Sequence, residues 1–235
     1  MSDFPSTRHS IIERMRNPDE GVRRHAFGDL VEGYWKALQR YVGIQWRLSH
    51  DEAQDVTQGF LTEALQKEWL ARYDPDKARF RTFIRVCIDR FVLNRQQAAS
   101  RLKRGGGVDV VSLDEPDADE EMRIASQPDA DDVFRREFVR ALFERTVEEV
   151  RGEYEAAGKA MHFAIFERYD IDPPDEVSYA IVAREFNLTS SQVTNTLAQV
   201  RRRFRERALE ILRTLSGSEA EFRREAREIF GMAIE

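Results

Sequence analysis

The sequence predicts an all-α protein: two small helical domains joined by a flexible acidic linker. Three observations predict it. Helix formers dominate the 235 residues, whereas Gly 12 and Pro 7 are few for a β-rich chain with many turns. Apolar residues recur at i, i+3, i+4 and i+7 on both sides of one segment that lacks any such period. Charge changes sign across that segment. Lys77 to Arg104 is basic and opposed only by Asp89, Asp109 to Asp132 is acidic and opposed only by Arg123, and a second basic cluster runs from Arg201 to Arg207.

Each element follows from its pattern. Phe27, Leu30, Val31, Tyr34, Trp35, Leu38, Tyr41 and Val42 predict a long amphipathic helix over about 26–46. Ser49 or Asp51 can cap a second helix that buries Val56, Phe60, Leu61, Ala64 and Leu65 and ends at Tyr73-Asp74-Pro75-Asp76. A third carries Phe80, Phe83, Ile84, Cys87, Ile88, Phe91 and Val92 on one face, runs to about Lys103 and stops at Gly105-Gly106-Gly107. Three helices with short joints can close one core.

Residues 105–132 are rich in Asp, Pro and Ser and read as a linker. A second helical set starts near Asp132, with Phe138, Leu142, Thr146 and Val150 on one face. Ala157, Met161, Ala164, Ile165 and Tyr169 supply another face, Pro173-Pro174 breaks the chain, and helices follow over about 178–186 and 190–213. A last amphipathic piece carries Phe222, Ala226, Ile229, Phe230 and Ala233.

Composition excludes several classes. No apolar run reaches the roughly 18–20 residues of a spanning helix, so no membrane partner is expected. Met1 to Ser10 lacks a hydrophobic signal core, and the lone Cys87 excludes an internal disulfide; both point to the cytoplasm. No enzyme chemistry is expected. His9, His25, His50 and His162 are scattered, and Gly105-Gly106-Gly107 follows a helix and lacks a nearby GK[ST]. Cys87 lies on an apolar helix face and reads as a buried structural thiol. No metal or cofactor is expected.

The sharpest local pattern is SYAIVAREFNLTSSQVTNTLAQVRRR, Ser178 to Arg203. A helix-turn-helix needs a small residue inside its first helix, which Ala183 supplies. Its turn needs a positive φ, and Asn187 tolerates that conformation best after Gly. An aliphatic residue must plug the angle between the helices, and Val193 stands there. Ser190 or Thr189 can cap the second helix. Ser191, Gln192, Thr194, Asn195 and Gln199 then face outward, where short polar side chains reach base edges, while Arg201, Arg202 and Arg203 hold phosphates. An ordinary helical hairpin with a solvated face is the alternative. Each basic cluster taken alone also reads as a solvated face.

Four stretches together resemble a bacterial sigma factor of the extracytoplasmic-function type, over about residues 8–214. FGDLVEGYWKALQRYV resembles the first helix of sigma domain two, and DEAQDVTQGFLTEAL the helix that binds the polymerase β′ clamp helices. ARFRTFIRVCIDRFVLNRQQAASRLKRGGG resembles the helix pair that melts and reads the minus-ten element. VSYAIVAREFNLTSSQVTNTLAQVRRRFRERAL resembles domain four, which reads the minus-thirty-five element and contacts the β flap. The resemblance implies a domain two over 1–104, a linker over 105–132, a domain four over 133–215 and an extension over 216–235. It implies two partners, core RNA polymerase and promoter DNA. Asp51, Gln54, Asp55 and Gln58 are then the polymerase-facing set. Arg85, Arg90, Asn94 and Arg95 are the first candidates for the displaced strand, and Arg101, Lys103 and Arg104 are phosphate contacts. A classical helix-turn-helix regulator, with residues 1–104 as a sensor or dimerisation domain, is the second reading.

One departure from the family suggests control. Its clamp-binding helix usually carries a pattern like DAEDLVQE, but this chain has DEAQDVTQG, with Gln54 and Gly59 where carboxylates are usual. Thr57 lies within about one turn of both, and a phosphate there would add about −1.5 to −2 charge. Members with a similar stretch are associated with Ser/Thr kinases, so a Ser/Thr protein kinase is implied as a partner and Thr57 as its target. The bland alternative is a small helix-surface threonine, with Asp51, Glu52 and Glu63 supplying the charge.

Overall fold

The computed structural model describes residues 10–67, 70, 73–103 and 128–231. It is all-helical, with no strand among the described residues. No helix among them is long and apolar enough to cross a membrane. The chain divides into two compact units, one of residues up to Ala141 together with those from Arg213 on, the other of Leu142–Leu212.

The first unit opens with α1 (Ile11–Met15), capped by Ser10, whose hydroxyl accepts from the Glu13 N–H while the Glu13 carboxylate accepts from the Ser10 N–H. Asp19 caps α2 (Glu20–Trp46), which buries Leu30, Tyr34, Leu38, Tyr41 and Val42. The helix ends at Arg47, in the left-handed region at φ 52. Ser49 and Glu52 form a second reciprocal cap at the start of α3 (His50–Lys67). Asp74 accepts from the Asp76 N–H in the turn around Pro75. After it, α4 (Phe80–Lys103) buries Phe80, Ile84, Cys87, Ile88 and Val92.

Helix α5 (Pro128–Ala156) begins inside the segment read as linker, so residues 128–132 are helical. Residues 104–127, which hold the rest of that segment, lie outside the described residues. Phe134 and Phe138 of α5 pack on α2. Phe138 stacks on Tyr34 with centroids 5.1 Å apart, and Phe134 meets Tyr41 edge-on at 5.2 Å. They therefore belong to the first unit and not, as the sequence suggested, to the helix-turn-helix module.

The second unit contains the rest of α5, α6 (Ala160–Phe166), a widened turn at Glu167–Ile171, α7 (Tyr179–Glu185) and most of α8 (Ser190–Leu215). Its core is Val150, Phe163, Ile165, Phe166, Val182, Ala183, Val193, Leu197 and Val200. The chain then returns to the first unit as α9 (Glu219–Phe230), capped by Ser218 and ended by Gly231 at φ 67. Phe222 and Ala226 are buried in that unit, and Ile229 and Phe230 are half-buried. The predicted amphipathic helix is present over 219–230, and residues 232–235 lie outside the described residues.

Candidate nucleic-acid interface

The segment read as a helix-turn-helix forms two helices, α7 and α8, joined by a short turn. Ala183 is 6% exposed and Val193 is fully enclosed, the small residue and the plug the pattern requires. Asn187 takes φ 55, and the following Leu188 N–H donates to Ala183 O at 2.7 Å, closing the end of α7. Thr189, not Ser190, is the cap of α8. Its hydroxyl accepts from the Gln192 N–H at 3.2 Å, and Gln192 Oε1 accepts from the Thr189 N–H at 2.8 Å. Ser191, Gln192, Thr194, Asn195 and Gln199 are all exposed. Two of them have local bonds: Gln192 in the cap, and Thr194, whose hydroxyl donates to Ser190 O at 2.9 Å.

The three arginines that follow are not equivalent. Successive residues on a helix point about 100° apart. Arg201 turns back to make two bonds to Asp170, at 2.9 and 2.8 Å, and lies over the Tyr169 ring at 5.6 Å. Arg203 makes two bonds to Glu153, at 2.6 and 2.7 Å. These bonds to Asp170 and Glu153 push both guanidinium groups further above their ordinary range. The Arg202 side chain is 81% exposed, held only by a 3.4 Å contact to Glu206. Of the three expected to hold phosphate, Arg202 is presented to solvent, whereas Arg201 and Arg203, with side chains 40% and 32% exposed, are paired within the unit. Arg205, outside the expected set, is also exposed.

In the first unit the polymerase-facing set falls on one face. Asp51, Gln54, Asp55 and Gln58 are exposed at i, i+3, i+4 and i+7 of α3. Thr57 is not on that face. It is fully buried, and its hydroxyl donates to Ala53 O at 2.8 Å. The reading of Thr57 as a surface phosphorylation site is therefore corrected, because the folded helix encloses the hydroxyl a kinase would need. Gly59 has a packing reason beside the electrostatic one. A Cβ there would stand 3.2 Å from Phe91 Cζ, and Arg95 crosses nearby.

Arg85 requires the largest correction. Expected on the strand-facing side of α4, it is fully buried. It donates to Asp89 at 3.0 Å and lies 2.6 Å from Asp131. Asp89 also accepts from Tyr41 Oη at 2.7 Å and from Trp46 Nε1 at 2.9 Å. Burial pushes the Asp89 carboxyl above its ordinary value even against these bonds. Arg85 thus ties α4 to α5, with its charge spent internally. Arg90 and Asn94 are half-buried and Arg95 is exposed. Arg101 and Lys103 belong to α4, with side chains outside the described residues, as is all of Arg104.

Sequence reasoning missed one cluster. Arg79 and Arg81, at the start of α4, are held by carboxylates of α9. Glu225 accepts from Arg79 at 3.0 Å and Arg81 at 2.5 Å, and Glu228 accepts twice from Arg79, at 2.7 and 2.6 Å. Glu221 Oε1 accepts from the Phe80 N–H at 2.8 Å and so caps α4 from a residue 141 positions later. Its second oxygen accepts from the Gly217 N–H at 3.0 Å and from Tyr73 Oη at 3.2 Å. The spacing of Glu221, Glu225 and Glu228, next to Phe222 and Ala226, was the signal in the sequence: acidic residues flanking the apolar stripe.

Comparison with protein-family models, curated proteins and solved structures found no match to this chain.

Proposed function

We propose that this chain is an alternative sigma factor, a protein that binds core RNA polymerase and directs promoter-specific initiation. The observation that carries the reading is the α7–α8 unit. It combines a left-handed Asn187, a buried Ala183 and Val193, a capped second helix, and five exposed polar side chains followed by Arg202. Such a helix suits the major groove. The exposed carboxylate and amide face of α3 supports a second, protein-binding role in the other unit. The mechanism asks for no bond-making chemistry: one module docks on the polymerase, another reads duplex, and their joint occupancy selects the start site.

Run-off transcription with purified core polymerase tests this. A defined transcript that needs both this chain and core is expected. Sequence-specific duplex binding without core, and no transcript with it, would replace the reading with the helix-turn-helix regulator. Within the interface, Asn195→Ala should shift base preference by about 1–3 kcal/mol at one base pair. Arg202→Ala should weaken all sequences alike and flatten the salt dependence. Equal loss on every sequence for Asn195→Ala would remove Asn195 from the reading set.

A further inference from the structure

Arg79 and Arg81 flank the first residue of α4, and both are turned toward α9 rather than solvent. The Glu228 carboxylate meets Arg79 fork to fork, the arrangement in which a guanidinium also takes a phosphate. Arg79, Arg81, Thr82 and Arg135 share an open cleft of about 420 Å³ with Asp131, Asp132 and Glu228. The attachment of α9 is unusually polar. Only Phe222 and Ala226 are buried apolar anchors, and Glu221 and Glu225, at 5% and 3% exposure, surrender their hydration to dock. Buried ion pairs return little net stability after that desolvation, so a competing anion of the same geometry can replace the carboxylates without a large loss. Ser216, Gly217 and Ser218 alone join α9 to α8, a short joint of small residues.

We propose that α9 is a removable cover over a nucleic-acid phosphate site. Glu225 and Glu228 stand in for backbone phosphates on Arg79 and Arg81, and a nucleic-acid strand must displace them to engage the start of α4. This rests on the reading of α4 as a strand-binding helix. It adds a site that sequence reasoning did not name and a self-inhibited state of the free protein.

The test uses the full chain and a short labelled single strand of mixed sequence, without polymerase. Glu225→Gln with Glu228→Gln should tighten binding about tenfold at low salt and steepen the salt dependence. Adding Arg79→Ala and Arg81→Ala should abolish the gain. Glu155→Gln with Glu176→Gln, the same charge change at exposed positions, should give far less. Equal gains from the two pairs, or no gain from the first, would overturn the cover. Hydrogen exchange on the unaltered protein gives a second measurement, independent of how the variants fold. The amides of 219–230 should lose protection when the strand binds, and unchanged protection with strand bound would overturn the proposal. A strand that binds but ignores α9 removes the cover and leaves the strand-binding reading standing. No binding by any form, the opened variant included, removes both.

Discussion

The two units hold their arginines in different ways. Around α9, Arg81 is 7% exposed and Glu225 3%, so both charges have left water almost completely. Around α8, the Arg203 and Glu153 side chains are 32% and 36% exposed, and Arg207 and Glu149 are 30% and 24%. The pairs are of one chemical kind with similar distances, yet their energetics differ. The first set has given up hydration that only an intact partner makes good. The second keeps water as an alternative partner and is screened. Contact lists alone would rank the two alike; burial separates them.

That contrast is broken or sharpened most strongly by removing one arginine from each. Arg81→Ala leaves a buried carboxylate short of a donor and should destabilise by about 3 kcal/mol. Arg203→Ala should remove about 1 kcal/mol or less. Urea unfolding checks both, and equal losses would mean that burial is not the deciding variable. Next come the glycines. A Cβ at Gly217 would meet Tyr73 Cε1 at 2.5 Å and Glu221 Oε2 at 2.9 Å, so Gly217→Ala should destabilise by about 1–3 kcal/mol. At Gly152, exposed in α5, a Cβ meets nothing, and Gly152→Ala should stabilise by about 0.5–1 kcal/mol through helix propensity.

The smallest expected effect is the dependence on pH, and the units should differ in sign. Burial raises the Glu221 carboxyl above its ordinary 4.5, so as pH rises past that value the folded first unit keeps this proton longer than the unfolded chain does. Its contribution therefore weakens as pH rises from about 4.5 through the raised value and is recovered on acidification. The bond from Arg203 lowers Glu153, so its contribution is complete above the ordinary carboxylate value and is lost as pH falls through the depressed one. Glu228, lowered by its bonds to Arg79, adds a loss of that second kind to the first unit below about 4.5. Trp35 and Trp46 lie in α2 of the first unit and no tryptophan falls within Leu142–Leu212, so tryptophan fluorescence follows the first unit and helical dichroism both. Mild acid, above about 4.5, should move the fluorescence midpoint upward in the unaltered protein and by less in Glu221→Gln, where the raised Asp89 carboxyl leaves a shift of the same sign; an undiminished shift in Glu221→Gln would remove Glu221 as a source.

The turn between α7 and α8 was legible in the sequence because every constraint on it is local. Ala183, Asn187, Thr189 and Val193 act within one turn or across one bend, and the structure uses each as the spacing implied. Thr57 was legible too on stricter face arithmetic. Ala53, Val56, Thr57, Phe60, Leu61 and Ala64 form one buried stripe, and a threonine inside it faces inward. Arg81 and Arg85 lie on the stripe of Ile84 and Ile88 by the same arithmetic, but counting arginine as polar hides it. Their partners Glu225 and Asp131 are remote in sequence, which no periodicity reveals. The division of α5 was hidden for another reason. Phe138, Leu142 and Val150 make one continuous stripe, and nothing in a stripe states that its two ends serve different cores.

The cap on Phe80 sets an order of events during biosynthesis. A chain is made from its N-terminus, and domains generally fold as they emerge. Here α4 receives the bond at its first amide from Glu221, a residue 141 positions later. Until the ribosome has passed that point, the start of α4 has neither this cap nor the partners of Arg79 and Arg81. The nascent first unit therefore carries two arginines without their carboxylate partners at a fraying helix end until those residues emerge. Its last cooperative step waits for Glu221, Glu225 and Glu228, so a product truncated before them would keep those arginines open.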